Sequence, residues 1–322
     1  MARNAASTAP AGARLPHRGY RQHRFKHFSR FIPLCLMALP GFAYLIINNY
    51  LPMFGTIIAF KKINWSLGIF DSPWVGFDNF KFLFSGPDAL VATRNSILYN
   101  LAFIVINTVM AVGIAILLNE IVSKIMLRIY QSLILLPYLI SMVVVSYIVY
   151  GLLNSDTGWV NNSLLGGEGP RWYSTSWYWP FILTIVNIWK QTGYLCVIYL
   201  ASVIGIDSSL FEAATLDGAS KWQQIRYVTL PSLKPTIITM TLLAVGRIFY
   251  TDFGLFYQVP MNSGAIYSTT QTLDTFVYRG LMQLGNVGMA SAAGMYQAVV
   301  GFVLVFVVNM VVRKVDKENA LF

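Results

Sequence analysis

Charge is scarce in this sequence. Asp, Glu, Lys and Arg make up 11% of its 322 residues, whereas soluble domains carry about a quarter. That deficit excludes an ordinary soluble domain and points to a membrane; the mean hydropathy of +0.58 agrees. Cysteine is almost absent. Cys35 and Cys196 each sit in an apolar run without CxxC spacing, which excludes a disulfide framework or thiolate metal site. Both read as small buried hydrophobes. The three histidines, His17, His23 and His27, all fall near the N-terminus. The interfacial cluster of His with Asp, Glu or Cys that a polytopic membrane enzyme needs is therefore missing. There is no GxxxxGK[ST] loop and no plausible set of magnesium carboxylates, so the chain by itself is not an ATPase.

What the sequence has in abundance is long apolar runs. Six are long enough for a helix to cross a bilayer, which takes about 20 residues: roughly 31–54, 95–119, 130–153, 179–205, 236–259 and 290–312. The expected fold is an all-α integral membrane protein of six transmembrane helices. The net charge of +10 need not mean nucleic acid, because Lys and Arg collect on the cytoplasmic side of membrane proteins. The N-terminus, the second and fourth connections and the C-terminus carry 15 Lys/Arg, against 6 in the other three connections. Both termini are therefore expected to be cytoplasmic. Residues 1–30 are expected to be a disordered basic tail, which could touch anionic headgroups, and residues 31–322 the membrane domain. The tail is too long, and the first run too long, for a signal peptide.

The connection 206–235 is unlike the others. Asp207 or Ser208 caps a helix whose apolar side is Leu210, Ala213, Ala214 and Leu216. Gly218 permits a turn. A second amphipathic helix follows over 221–228, with Trp222, Ile225 and Val228 on one face, and Pro231 and Pro235 are expected to stop it. Two short helices joined by a glycine turn make a docking element on the cytoplasmic face.

Its residues carry a resemblance. Glu212-Ala213-Ala214, Asp217-Gly218-Ala219 and Leu230-Pro231 resemble the signature of ABC-importer permeases, spread over about 20 residues. Gly76 to Phe80 with Asn95-Ser96 is similar to the outer loop of sugar permeases. Ile188-Trp189-Lys190 with Gly193-Tyr194 and Tyr199-Leu200-Ala201, and Asp274 to Gly280, resemble the subgroup importing oligo- and polysaccharide fragments, including uronate oligosaccharides such as alginate.

The resemblance implies a type I importer (MetI-like) permease fold with a cytoplasmic two-helix coupling loop, in a bacterial inner membrane. It implies a second homologous permease, two ATPase subunits that bind ATP and Mg, and an extracytoplasmic binding protein that delivers an oligosaccharide. No cofactor or metal is expected in this chain itself. Glu212, Ala213, Ala214, Asp217, Gly218, Leu230 and Pro231 are the expected docking residues. Candidates for the substrate path come from helical spacing: Asn187, Lys190, Gln191 and Tyr194 in the fourth span, Arg247, Tyr250 and Thr251 in the fifth, Tyr296 and Gln297 in the sixth. Lys190 and Arg247 near midplane cost too much to face lipid. They either line a watery path, where they would suit an acidic sugar, or pair with Asp252 or a partner subunit. The competing readings are an ABC permease for a non-sugar solute and a secondary transporter, although inverted repeats are not evident.

Overall fold

The computed structural model describes residues 23–315. It falls into two units that divide after Gly55, and the first is one helical segment. Helix α1 (His23–Leu45) continues through a wide π-type turn, Ile46–Tyr50. It starts within the expected tail, where no Pro or Gly stands between His23 and Pro33. The apolar helix then extends over Pro33–Phe60, past the expected end at 54. Residues 1–22 of the expected tail lie outside the described residues.

The second unit is also helical. Its described residues hold no strand, only two isolated bridges, Lys61 to Trp74 and Asn64 to Gly68. Helix α2 (Pro87–Asn119) starts earlier than the expected 95, on a Gly86-Pro87 pair that suits a first turn. Helix α3 (Lys124–Leu139) and helix α4 (Met142–Leu153) follow. Helix α5 (Trp179–Ile204) matches the fourth expected span. After α6 (Ser208–Leu216) comes a continuous helix, α7 (Lys221–Val245). Helix α8 (Leu273–Leu284) leads to α9 (Val287–Val315). Five helices of the described chain are long and apolar enough to cross a membrane, or six if the bent pair α3–α4 is one span.

Two expected spans are corrected. The third is broken by 91° between Leu139 and Met142. Ser141 starts a new helix there by accepting a hydrogen bond from the Val144 N–H at 3.4 Å, and Pro137 in the preceding turn weakens the old one. The fifth, expected over 236–259, ends as a helix at Val245, and its residues Arg247 to Thr251 are not helical. Pro231 and Pro235 do not stop the helix that follows Gly218, which runs on into this span. A π-type turn at Ile225–Thr229 precedes Pro231, and such local adjustments let a helix carry proline in a membrane.

The core lies where α2 and α5 cross. Ala111 and Ala115 of α2 are fully buried against Tyr199 and Leu200 of α5, with Leu233 of α7 closing the cluster. Small residues let helix backbones approach closely. A second cluster joins Tyr99 and Phe103 of α2, Val145 of α4 and Trp179 and Leu183 of α5 to Leu255 and Phe256. Cys196 is buried in the first cluster, as expected, but Cys35 is exposed.

Candidate functional site

Two places gather the residues singled out above. The first is the connection between α5 and α7. Asp207 caps α6 by accepting from the Ser209 N–H at 2.9 Å. Hydrogen bonds from the Ser209 backbone and hydroxyl hold the Asp207 carboxyl below its usual range, so it stays ionised at neutral pH. Helix α6 ends with the Asp217 N–H donating to Ala213 O at 3.0 Å and the Ala219 N–H to Ala214 O at 2.9 Å. Gly218 between them has φ +77°, a left-handed conformation that costs glycine nothing. Ser220 then opens α7 with a capping box to Gln223, which satisfies two otherwise unpaired N–H groups.

The turn is fastened from inside. The buried Gln224 side chain donates to Thr215 Oγ1 at 3.0 Å and to Ala219 O at 3.3 Å, so α6 and the start of α7 form one rigid corner. Lys221 reaches across to Glu120 at 3.1 Å. Glu212 and Leu216 line a depression of about 660 Å³ beside that ion pair. Ala213, Asp217 and Gly218 are exposed, while Leu230 and Pro231 lie further along α7, away from the corner. Leu216 is 89% exposed, a large apolar side chain offered at a helix end.

The second place is a cavity of about 380 Å³ between α2, α5 and the irregular stretch after α7. Of the expected path residues it gathers Asn187, Gln191, Tyr194, Arg247 and Tyr250. The irregular stretch is held open by side chains. Asn100 Nδ2 donates to Ile248 O at 2.7 Å and to Tyr250 O at 3.1 Å. From the other side Gln297 Nε2 donates to Phe249 O at 2.7 Å. Non-helical backbone at membrane depth persists where it is buried in protein or lines a cavity, and this stretch does both.

Four expected path residues do not line the cavity. The Thr251 N–H donates to Asp274 Oδ2 at 2.6 Å, and Gln297 also donates to Asp274 Oδ1 at 3.1 Å. Tyr296 packs edge-on against Phe249. These three fix the cavity wall from behind. Lys190 is buried and turned toward the end of α3, where it donates to Tyr138 O at 3.0 Å, to Pro137 O at 3.3 Å and to Ile140 O. The cavity's charged lining is thus Arg247 and Asp252.

The sequence reading missed Asn100 and Asn107. Asn107 Nδ2 donates to Asn187 Oδ1 at 2.8 Å, and its own Oδ1 is buried without a partner among the described residues. The signal was present: 100 and 107 are seven apart, hence on one face of an otherwise apolar helix. No group of three or more His, Cys, Asp and Glu side chains that could hold a metal occurs among the described residues.

A rigid helical corner, and a cavity beside a broken span that sets side-chain amides and an Arg among apolar groups, are the features to compare with known proteins. Residues 89–317 match the family described as binding-protein-dependent transport system inner membrane component. The chain belongs to this family. It is a permease subunit of an ABC importer, a multi-pass inner-membrane protein and not an enzyme, and its fold is the all-helical MetI-like permease fold. It is 33% identical over 289 residues to protein LplB of Bacillus subtilis (strain 168), covering 89% of this chain and 90% of that one. It is 31% identical to the polygalacturonan/rhamnogalacturonan transport system permease protein YteP of the same organism, covering 89% of each chain. Among solved structures it is similar to a chain of a bacterial ABC transporter involved in the import of the acidic polysaccharide alginate. There the TM-score is 0.81 and the identity 31%, covering 92% of this permease and 100% of that chain.

Proposed function

We propose that this permease, paired with a second homologous permease, forms the translocation path for an oligosaccharide delivered by an extracytoplasmic binding protein, with two ATPase subunits driving import. The observation that carries the reading is the cavity. Its side-chain amides and tyrosine rings, Asn187, Gln191, Tyr194 and Tyr250, suit a ligand with hydroxyl edges and apolar CH faces. The kinship to the alginate importer, also solved with an alginate pentasaccharide-bound periplasmic protein, supports the same reading. The α6–α7 corner is the ATPase-docking element, with Glu212 meeting a basic residue of the ATPase, and ATP and Mg are bound there rather than in this chain.

The test is uptake by proteoliposomes holding the assembled complex, with ATP inside and loaded binding protein outside. The expected result is ATP-dependent accumulation of oligosaccharide. Accumulation of an amino acid or peptide instead would move the chain to a non-sugar importer, and uptake driven by an ion gradient without ATP would make it a secondary transporter. A second reading concerns charge: Arg247 stands in the path, and two of the similar proteins are tied by name to acidic polysaccharides. On that reading the oligosaccharide carries uronate groups.

Orientation follows from the 15-to-6 asymmetry of basic residues, with positive charge inside. Both termini and the corner at Lys221 face the cytoplasm, and the connection before α5 at Glu168 faces outward. With Cys35 and Cys196 replaced, an impermeant thiol reagent on intact spheroplasts is expected to label Glu168→Cys and to leave Lys221→Cys untouched until the membrane is opened. The reverse pattern would invert the topology.

A further inference from the structure

Lys190 was expected either to line the path or to pair with Asp252 or a partner subunit. It does not line the cavity, and among the described residues its hydrogen bonds go to backbone carbonyls. Its ammonium is buried at the 91° break of the third span and donates to the Pro137, Tyr138 and Ile140 carbonyls. The last carbonyls of a helix have no partner within it, and they form the negative end of its dipole. In hydrocarbon each unsatisfied group costs several kcal/mol. A lysine reaching over from α5 solves two problems together. The Tyr138 and Ile140 carbonyls gain a donor, with Pro137 O, which also accepts from the Ile140 N–H at 3.3 Å, gaining a second, and the cation gains acceptors away from lipid.

The surroundings fit tightly. Gly193, one turn along α5, lies so close to the α3 backbone that a Cβ there would strike the Ile134 carbonyl. Tyr194, four residues after Lys190, stacks on Tyr138 with centroids 4.8 Å apart. The end of α3 is therefore held by a ring stack, a backbone contact and a cation, all from one face of α5. Asp252, at the second break in the chain, acts electrostatically on the same ammonium while capping the turn that follows by accepting from the Leu255 N–H at 3.1 Å. Across that turn, Met142 at the start of α4 packs against Gly254. The break of the third span thus meets both Lys190 and, through Met142, the turn after the fifth, and the Lys190 neighbours Asn187, Gln191 and Tyr194 line the cavity.

We infer that Lys190 is a positioning residue for transport: it pins the break of the third span to α5, so that the half-helices α3 and α4 hold their angle beside the cavity without contact between Lys190 and the substrate. This rests on the proposed transport function, but its geometric half does not. The experiment uses the full complex with Lys190→Met, Lys190→Gln and Lys190→Arg. Spin labels go on the exposed positions Tyr147→Cys of α4 and Phe181→Cys of α5, with Cys35 and Cys196 replaced.

In Lys190→Met the distance distribution between labels is expected to broaden. The maximal uptake rate should fall about tenfold, as for loss of a charged donor that leaves buried acceptors unpaired, with half-saturating substrate unchanged. Lys190→Gln should be intermediate, and Lys190→Arg should restore a narrow distribution. A raised half-saturating concentration at an unchanged maximal rate would place Lys190 on the substrate and overturn the inference. So would a distribution as narrow in Lys190→Met and Lys190→Gln as in the wild type. If Lys190→Met does not assemble, Lys190→Gln and Lys190→Arg decide by the same two readouts. Should the complex transport nothing, the proposed function fails while the label distances still test the pin.

Discussion

In Gly218→Pro or Glu212→Lys, the complex is expected to reach the membrane but to lose most of the ATPase stimulation caused by loaded binding protein, by about tenfold or more. Proline fixes φ near −65°, whereas Gly218 needs +77°, so the α6–α7 corner cannot close in that variant. Glu212→Lys keeps the corner but inverts the charge it offers; one charged hydrogen bond is worth about 1.5–3 kcal/mol, enough for a loss of that size. Gly218→Asn is the control. Asparagine tolerates the left-handed region, so that variant should keep most of the stimulation. ATPase activity of the reconstituted complex, with and without loaded binding protein, is the measurement. Stimulation unchanged in Gly218→Pro and Glu212→Lys would remove this corner from coupling.

The second large effect concerns Arg247. In Arg247→Gln, uptake of uronate oligosaccharides is expected to fall about tenfold relative to neutral ones, because a charge-assisted hydrogen bond is roughly twice as strong as a neutral one. Arg247 forms no ion pair among the described residues and faces the cavity, so its charge is available to a ligand. Asp252 lines the same cavity and its carboxylate opposes a uronate, so with Lys190 committed to carbonyls the attraction from this chain has to come from Arg247. Competition between acidic and neutral oligosaccharides in proteoliposomes measures it. A wild type that carries only neutral sugars, or an equal loss of both kinds in the variant, would give Arg247 a structural role.

Some of this was legible in the residues. Scarce charge and long apolar runs announce a membrane protein because burying charge in hydrocarbon is costly. Part of the corner was readable, since capping and glycine turns depend on a few neighbours: Asp207 caps and Gly218 turns as their chemistry dictates. The Ser220 capping box and the helix running on through Pro231 and Pro235 were not anticipated. The family resemblance rested on that short signature together with segments at 76–80, 95–96, 188–201 and 274–280.

The path was less legible. Helical spacing put Arg247, Tyr250 and Thr251 on one face of a fifth span, but no helix exists there. The break is stabilised by Asn100 from α2, Gln297 from α9 and Asp274 from α8, residues remote in sequence. Periodicity also placed Lys190 with Asn187, Gln191 and Tyr194 on one stripe, and three of these four do line the cavity. It could not show that the lysine, with its long side chain, would turn aside to the end of α3.

The sequence by itself determined that the chain lies in a membrane, roughly which segments are apolar enough to cross it, and the cap at Asp207 and the turn at Gly218. These follow from hydropathy and from interactions within a few residues. Only the tertiary structure decided where the spans break and which polar side chains face the cavity. A helix interrupted inside a membrane survives when side chains from other helices satisfy its freed carbonyls, and those partners are fixed by packing rather than by local sequence.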